Sequence, residues 1–287
     1  MRAPSSRGTP IDARRYTKWI NRFSSYGAGI MNVTIESWLK QFDDPDMDLA
    51  ARILDSVQFY TQKHIREAYG QALQALPGWN DDPTKRKGKW CFAAMSGSAG
   101  ESGDAMLYQF RLANGLDAKK HNSIFVERSE LFRRTLLGDA DEKKLGINDV
   151  VVLLDDFTGT GKQVCDAWND PETSFGALLA GVGKVYLIVV AASQAAKKKI
   201  ADETSITLAP AHQLHDGDNV FSTNCAHFTP KERGRLIHYG RIADSRNPKG
   251  FGKCGLLVVF QHRAPNNTLP ILHMEHDGWC GLFPRHT

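Results

Sequence analysis

Two adjacent acids, Asp155 and Asp156, stand at the end of an aliphatic run and at the head of a threonine–glycine loop in VVLLDDFTGTGKQV, residues 151–164. Carboxylates at the end of a buried strand can accept hydrogen bonds from sugar hydroxyls. A glycine-rich loop between strand and helix offers backbone N–H groups and the positive end of a helix dipole to an anion. Acids followed by such a loop therefore suit a ligand that carries both hydroxyls and a phosphate.

Three devices bind phosphate with this kind of loop. The P-loop needs a glycine, four residues and then Gly-Lys-Ser/Thr, but counting back from Gly161-Lys162 places Asp156 at the glycine and Gln163 at the magnesium-binding hydroxyl. A dinucleotide fingerprint is matched in part by Gly97, Gly100 and Gly103 after the strand-like WCFAAM, with Glu127 further on. Its glycine spacing is wrong, and it leaves Asp155-Asp156 unexplained. The third device is a ribose-5-phosphate site, in which the acid pair takes the ribose and the loop takes the 5′-phosphate.

In this last respect VVLLDDFTGTGKQ resembles the phosphoribosyl-diphosphate motif of type I phosphoribosyltransferases, over about residues 90–215. The resemblance implies that Asp155 and Asp156 hold ribose hydroxyls or a magnesium ion, and that Thr158, Gly159, Thr160, Gly161, Lys162 and Gln163 cradle the phosphate. It also implies a pyrophosphate loop at Ser96, Gly97 and Ser98, and a mobile lid over 128–146 whose Arg128, Arg133 and Arg134 meet the leaving diphosphate. Gly159 and Gln163 depart from the small or hydroxyl residues usual in such loops, and MSGSAG lacks the basic residue often found beside it. The tail, PNNTLPILH with a later Trp and LFPR, and the segment IESWLKQF are similar to a phosphoribosyltransferase-like group of prokaryotic conflict and antiviral systems, including retron-associated effectors. That likeness implies chemistry at C1′ of a phosphoribosyl or nucleotide ligand. It also implies a partner protein or nucleic-acid complex. A sensor that binds the ligand without turning it over is the alternative.

The elements that must position these residues follow from periodicity. WCFAAM (90–95), SIFVE (123–127), VVVLLDD (150–156), KVYLIVVAAS (184–193) and SITLAPAHQL (205–214) read as strands. Helical patterns separate them, at SGDAMLYQFRLANGL, VCDAW and AAKKKIA. Near-continuous aliphatic strands alternating with helices imply an α/β fold, a Rossmann-like parallel sheet flanked by helices. Residues 1–30 are expected to form a flexible tail and 31–80 a helical region, with one long helix or two short ones after Pro45. The α/β domain is expected over 88–287, and from about residue 221 it becomes an irregular, Gly/Pro/Asn-rich cap with one strong strand, GLLVVF (255–260).

Composition narrows the function classes. The 287 residues carry 36 basic and 32 acidic side chains, a net +4, spread too evenly along the chain for a dedicated nucleic-acid stripe. Lys85-Arg86-Lys87-Gly88-Lys89 reads as a solvated linker. Five scattered cysteines without a Cys-x-x-Cys pair suggest reduced thiols and a cytoplasmic protein, and Cys165 and Cys280 are expected to pack rather than react. No apolar run nears the roughly 20 residues of a membrane span. His212/His215 and His273/His276 are expected at the surface, and no zinc is expected.

Overall fold

The computed structural model describes residues 11–27, 32–95, 103–138, 140–171 and 175–285; the expected pyrophosphate loop at Ser96, Gly97 and Ser98 lies outside them. In chain order the elements begin with α1 (Ala13–Phe23), α2 (Asn32–Leu39), α3 (Met47–Ser56), β1 (Gln58–Tyr60) and α4 (Gln62–Gln74). They continue with β2 (Trp90–Ala94), α5 (Gly103–Ala113), α6 (Arg128–Leu136), β3 (Val150–Thr158), α7 (Lys162–Asn169) and α8 (Phe175–Leu179). Next come β4 (Lys184–Ser193), α9 (Gln194–Glu203), β5 (Thr207–Leu214) and α10 (Pro230–Ala243), then β6 (Val258–Phe260), β7 (Glu275–His276) and β8 (Trp279–Cys280). No helix among the described residues is long and apolar enough to cross a membrane.

The chain folds as two compact units, one continuous (Lys63–His215) and one assembled from both ends of the chain (Met1–Gln62 and Asp216–Thr287). These divisions fall at 62/63 and 215/216, whereas composition placed them near 80–88 and 221. The continuous unit holds an all-parallel sheet in the order β2-β3-β4-β5. Val151, Leu153, Leu187 and Val189 are buried against Leu131, Val164, Phe175 and Ile200 of the flanking helices, which is why these strands read as unbroken aliphatic runs. SIFVE does not form the strand expected of it. Residues 119–124 wind into a 3-10 turn, and only Phe125 bridges, in parallel, to Phe92. That bridge lies beside β2, so the order is that of the flavodoxin-like sheet, 2-1-3-4-5, with its second strand reduced to a stub. The direction of winding reverses between β2 and β3. In open α/β sheets such a reversal leaves a crevice at the strands' carboxyl ends, where ligands bind.

The discontinuous unit has its own core, in which Trp19, Phe23, Ile35, Trp38 and Leu39 pack with Tyr239, Val259, Ile271 and Phe283. Three sequence expectations change here. Residues 13–23, assigned to a flexible tail, form α1, capped by Asp12 and burying Trp19 and Phe23. The helical pattern of 47–76 resolves into the two short helices α3 and α4, but the link between them is an unexpected strand, β1, which pairs in parallel with β6 (Phe59↔Val259). The segment after 221 is less irregular than its composition suggested, because α10 opens with Pro at its first turn and a capping box between Thr229 and Glu232.

Candidate functional site

β3 runs without a bulge from Val150 to Thr158, paired to β4 by a constant register that includes Asp155↔Val189 and Thr158↔Ala192. Strand geometry therefore sends Asp155 and Asp156 to opposite faces of the sheet. Asp155 is buried (8% exposed), and its Oδ1 accepts the Asp156 backbone N–H at 2.9 Å. Its carbonyl accepts the hydroxyl of Tyr69, on α4, at 2.9 Å. Burial first, then the charges of Asp156 and Asp155, pushes the Tyr69 hydroxyl well above its ordinary value, so it remains a proton donor to Asp155 throughout the working range of pH. Sequence reading placed α4 in the helical region of 31–80 and gave it no part in the site. Tyr69 was missed because its contact is to a backbone atom distant in the chain, which leaves no local pattern.

After Thr158 the chain turns through Gly159 and Thr160 to Gly161, which caps α7 with φ +73°. A Cβ there would stand 3.1 Å from the Ala196 carbonyl oxygen and 3.2 Å from Ile200 Cγ1, so the start of α7 can lie against α9 only with glycine at this position. The Thr160 hydroxyl accepts the Lys162 backbone N–H at 3.2 Å. Ser193, at the end of β4, donates its hydroxyl to the Gly159 carbonyl and accepts the Ala196 N–H at 2.9 Å, capping α9. It thereby ties the loop to the neighbouring strand. A serine closing an aliphatic strand ahead of QAAKKK is a helix-start signal, and it could have marked Ser193 in advance.

The remaining expected residues are placed as follows. Thr158 and Gly159 are buried, Thr160 is half-buried, and Lys162 and Gln163 are exposed. The Lys162 ammonium pairs with Asp166 one turn along α7. Two of the lid arginines are engaged on their own helix. Arg133 and Arg134 both bind Glu130, whose carboxyl their hydrogen bonds pull down to about 2. Arg134 also lies 3.1 Å from the Ser123 carbonyl and 3.6 Å from Cys91 Sγ. Cys91 is in register with Val151, four residues before Asp155, or about 13 Å towards the amino end of the sheet. Arg128 lies over the rings of Phe175 and Phe132, 4.1 and 5.4 Å from their centroids.

The histidines divide between surface and core. His212 and His215 are exposed, and β4 sets His212 opposite Ala191, itself opposite Phe157, so His212 stands at the carboxyl edge of the sheet. Burial, followed by the charge of His64, lowers its pKa. His273 is not at the surface. It is 5% exposed, with Nε2 3.2 Å from the Thr268 carbonyl. Among the described residues no group of three or more His, Cys, Asp or Glu could hold a metal ion together. Cys165 is buried and packs as expected, whereas Cys280 is exposed.

Comparison with known proteins adds a family. The family model described as PRTase-CE matches residues 35–285. No curated protein matches. Among solved structures the chain is similar to the crystal structure of orotate phosphoribosyltransferase from Aeropyrum pernix, with 14% identity over 53% of this chain and 69% of that one, at a TM-score of 0.27. The fold is given by the strand order and the family match.

Proposed function

The chain belongs to the PRTase-CE family, and from that premise we propose that it binds a phosphoribosyl ligand at the carboxyl end of β3 and acts at C1′ of the ribose. The ligand would be ribose 5-phosphate, phosphoribosyl diphosphate or a nucleotide. The observation that carries this reading is the coincidence of three features at one sheet edge: the reversal of strand order between β2 and β3, the acids Asp155 and Asp156, and the glycine-capped start of α7. Thr158 to Gln163 would receive the 5′-phosphate on backbone N–H groups and the α7 dipole. The tail and IESWLKQF motifs suggest the setting, an antiviral defence effector of the cytoplasm with a protein or nucleic-acid partner.

At C1′ the bond to the leaving diphosphate or base breaks with its electron pair, and water or another acceptor attacks the carbon and gives up a proton. Charge develops on the ribose ring and on the leaving group, so the protein's task is to orient the sugar and stabilise that charge. Tyr69 holds the Asp155 carbonyl, and the Asp155 carboxylate holds the Asp156 amide, which fixes the Asp155 carboxylate and the backbone that carries Asp156. Hard carboxylate oxygens suit magnesium. Half-buried Asp156 is the better placed of the two to hold it, because Asp155 is buried and turned to the other face. Magnesium would supply positive charge to the diphosphate oxygens.

One observation favours a sensor that binds without turnover. Arg133 and Arg134 are paired with Glu130, so two of the lid cations are held on their own helix and not offered to a diphosphate. The deciding experiment follows diphosphate or base release from phosphoribosyl diphosphate and from the common nucleotides with magnesium, for wild type and for Asp155→Asn/Asp156→Asn. C1′ chemistry at this edge requires release by wild type and a loss of about 100-fold or more in the double variant. Ligand binding that the variant loses, without release by either protein, establishes the sensor. Neither binding nor release removes the site.

A further inference from the structure

One segment carries an excess of positive charge larger than the net charge of the whole chain. Residues 230–253, which comprise α10 and the loop after it, contain seven basic and two acidic residues, an excess of five against +4 for the whole chain. The even scatter of charge along the sequence conceals this. Arg235 is spent on Asp46 and Asp43, and Arg233 reaches the Cys225 carbonyl at 2.7 Å. Lys231, Arg241, Arg246, Lys249 and Lys253 enter no ion pair among the described residues. Four of these five are exposed, and Lys249 is half-buried. Of the two acids, Glu232 is occupied by Arg52, and Asp244 accepts the Arg246 and Asn247 backbone N–H groups.

Three further observations concern the loop. Its backbone is fixed, with the Gly250 N–H on the Asn247 carbonyl, the Gly255 N–H on the Lys249 carbonyl and the Phe251 N–H on the Asn266 carbonyl, each at 2.8 Å. Phe251 stands between two glycines with 37% of its surface exposed. Lys253 has φ +58°, the only non-glycine residue among those described with positive φ. A left-handed backbone strains lysine where it would not strain glycine, so the position keeps a cation at the expense of stability. Packing does not ask for one there, since Lys253 is exposed.

We infer that the loop after α10, which passes against the end of that helix at Gly240, binds single-stranded nucleic acid, with Arg241, Arg246 and Lys253 on phosphates and Phe251 stacked on a base. Cations around an exposed aromatic ring on a fixed backbone are the combination that single strands require. A membrane is the weaker fit. A helix that lies in a bilayer needs an exposed apolar face, whereas Leu236, Tyr239 and Ala243 of α10 are buried and Ile242 alone is exposed. Arg241, in the last turn of α10, also complements the helix dipole, and Lys249 lies over the Phe221 ring, 5.0 Å from its centroid, which leaves Arg246 and Lys253 unexplained.

The inference is independent of the phosphoribosyl site and is tested on the full chain with labelled oligothymidylate, the same sequence as a duplex, and phosphatidylserine vesicles. Binding to the single strand is expected to weaken between about 50 and 200 mM salt, and Arg241→Gln/Arg246→Gln/Lys253→Gln should flatten the logarithmic salt slope by about 0.7 per lost contact. Phe251→Ala should cost about tenfold in affinity with the slope unchanged. Lys119→Gln/Lys120→Gln, a control elsewhere on the chain, should change little. Lys253→Gly should raise the melting temperature while weakening binding, a pair of effects that a damaged fold cannot produce. Vesicle binding in place of oligonucleotide binding, equal loss in the control, or unchanged affinity in the triple variant would each overturn the inference.

Discussion

At Gly161 a hydrogen in place of a methyl group decides where α7 can begin. The left-handed backbone and the contacts to Ala196 and Ile200 both oppose a side chain, so Gly161→Ala is expected to cost about 1–2 kcal/mol of stability. It should weaken ligand binding as well, and urea titration with and without phosphoribosyl diphosphate measures both. His273 makes a different kind of prediction. Burial, then the charge of Arg285, lowers its pKa from 6.5 to about 4, because the ring is held neutral with Nδ1 unpartnered. A folded-state pKa below the unfolded one means that the unfolded chain binds the proton more tightly. The contribution of His273 is therefore complete above about pH 6.5 and is lost as the pH falls towards 4, by about 2 kcal/mol between pH 7 and pH 5. Urea midpoints at the two pH values should separate less in His273→Gln than in wild type; equal separation would remove His273 as the cause.

At the scale of elements, α10 shows how a helix can be fixed by its first turn. Thr229 accepts the Glu232 N–H, and Glu232 in turn accepts the Thr229 N–H at 2.7 Å and its hydroxyl at 2.9 Å while also binding Arg52. Thr229→Ala should therefore destabilise the protein by about 1 kcal/mol, read as a lower melting temperature. The signal for this helix, Thr-Pro-Lys-Glu, was present in a stretch whose Gly, Pro and Asn content suggested an irregular cap. β3 and β4 were legible because burial on both faces demands continuous aliphatic residues, and β4 has the bounds its sequence indicated. β1 was not, because Val57 and Tyr60 continue a helical spacing and the strand exists only through pairing with β6, far along the chain. SIFVE has strand composition, yet it reaches the sheet at one bridge. In the candidate site the acids and the glycine loop were readable from their local order. Tyr69 acts on a backbone atom of another element, which no local spacing reveals, and the helix-start signal at Ser193 marks its cap on α9 but not its bond to the Gly159 carbonyl.

At the scale of the whole molecule, the two units differ in how far the chain must travel to build them. The sheet of the continuous unit pairs consecutive strands, β3 with β4 across two short helices and β4 with β5 across one. The other unit needs both ends of the chain at once. Gln58 pairs with Val258, the Trp38 indole N–H donates to the Ile271 carbonyl at 2.7 Å, and the Tyr26 hydroxyl donates to the Pro284 carbonyl at 2.7 Å. Closing so long a loop costs entropy before any of these contacts repays it, and non-local pairing slows folding. The continuous unit lies within that loop. Once its sheet has formed, the loop that remains to be closed is effectively shorter, so the terminal segments should dock second. Pulse-labelled hydrogen exchange during refolding is expected to protect amides of β3 and β4 before those of β1 and β6, in two resolved phases. Phe59→Ala, which removes a ring packed edge-on to Phe23 in the discontinuous core, should slow or abolish only the later phase. Simultaneous protection of all four strands would mean that the two units fold as one cooperative body.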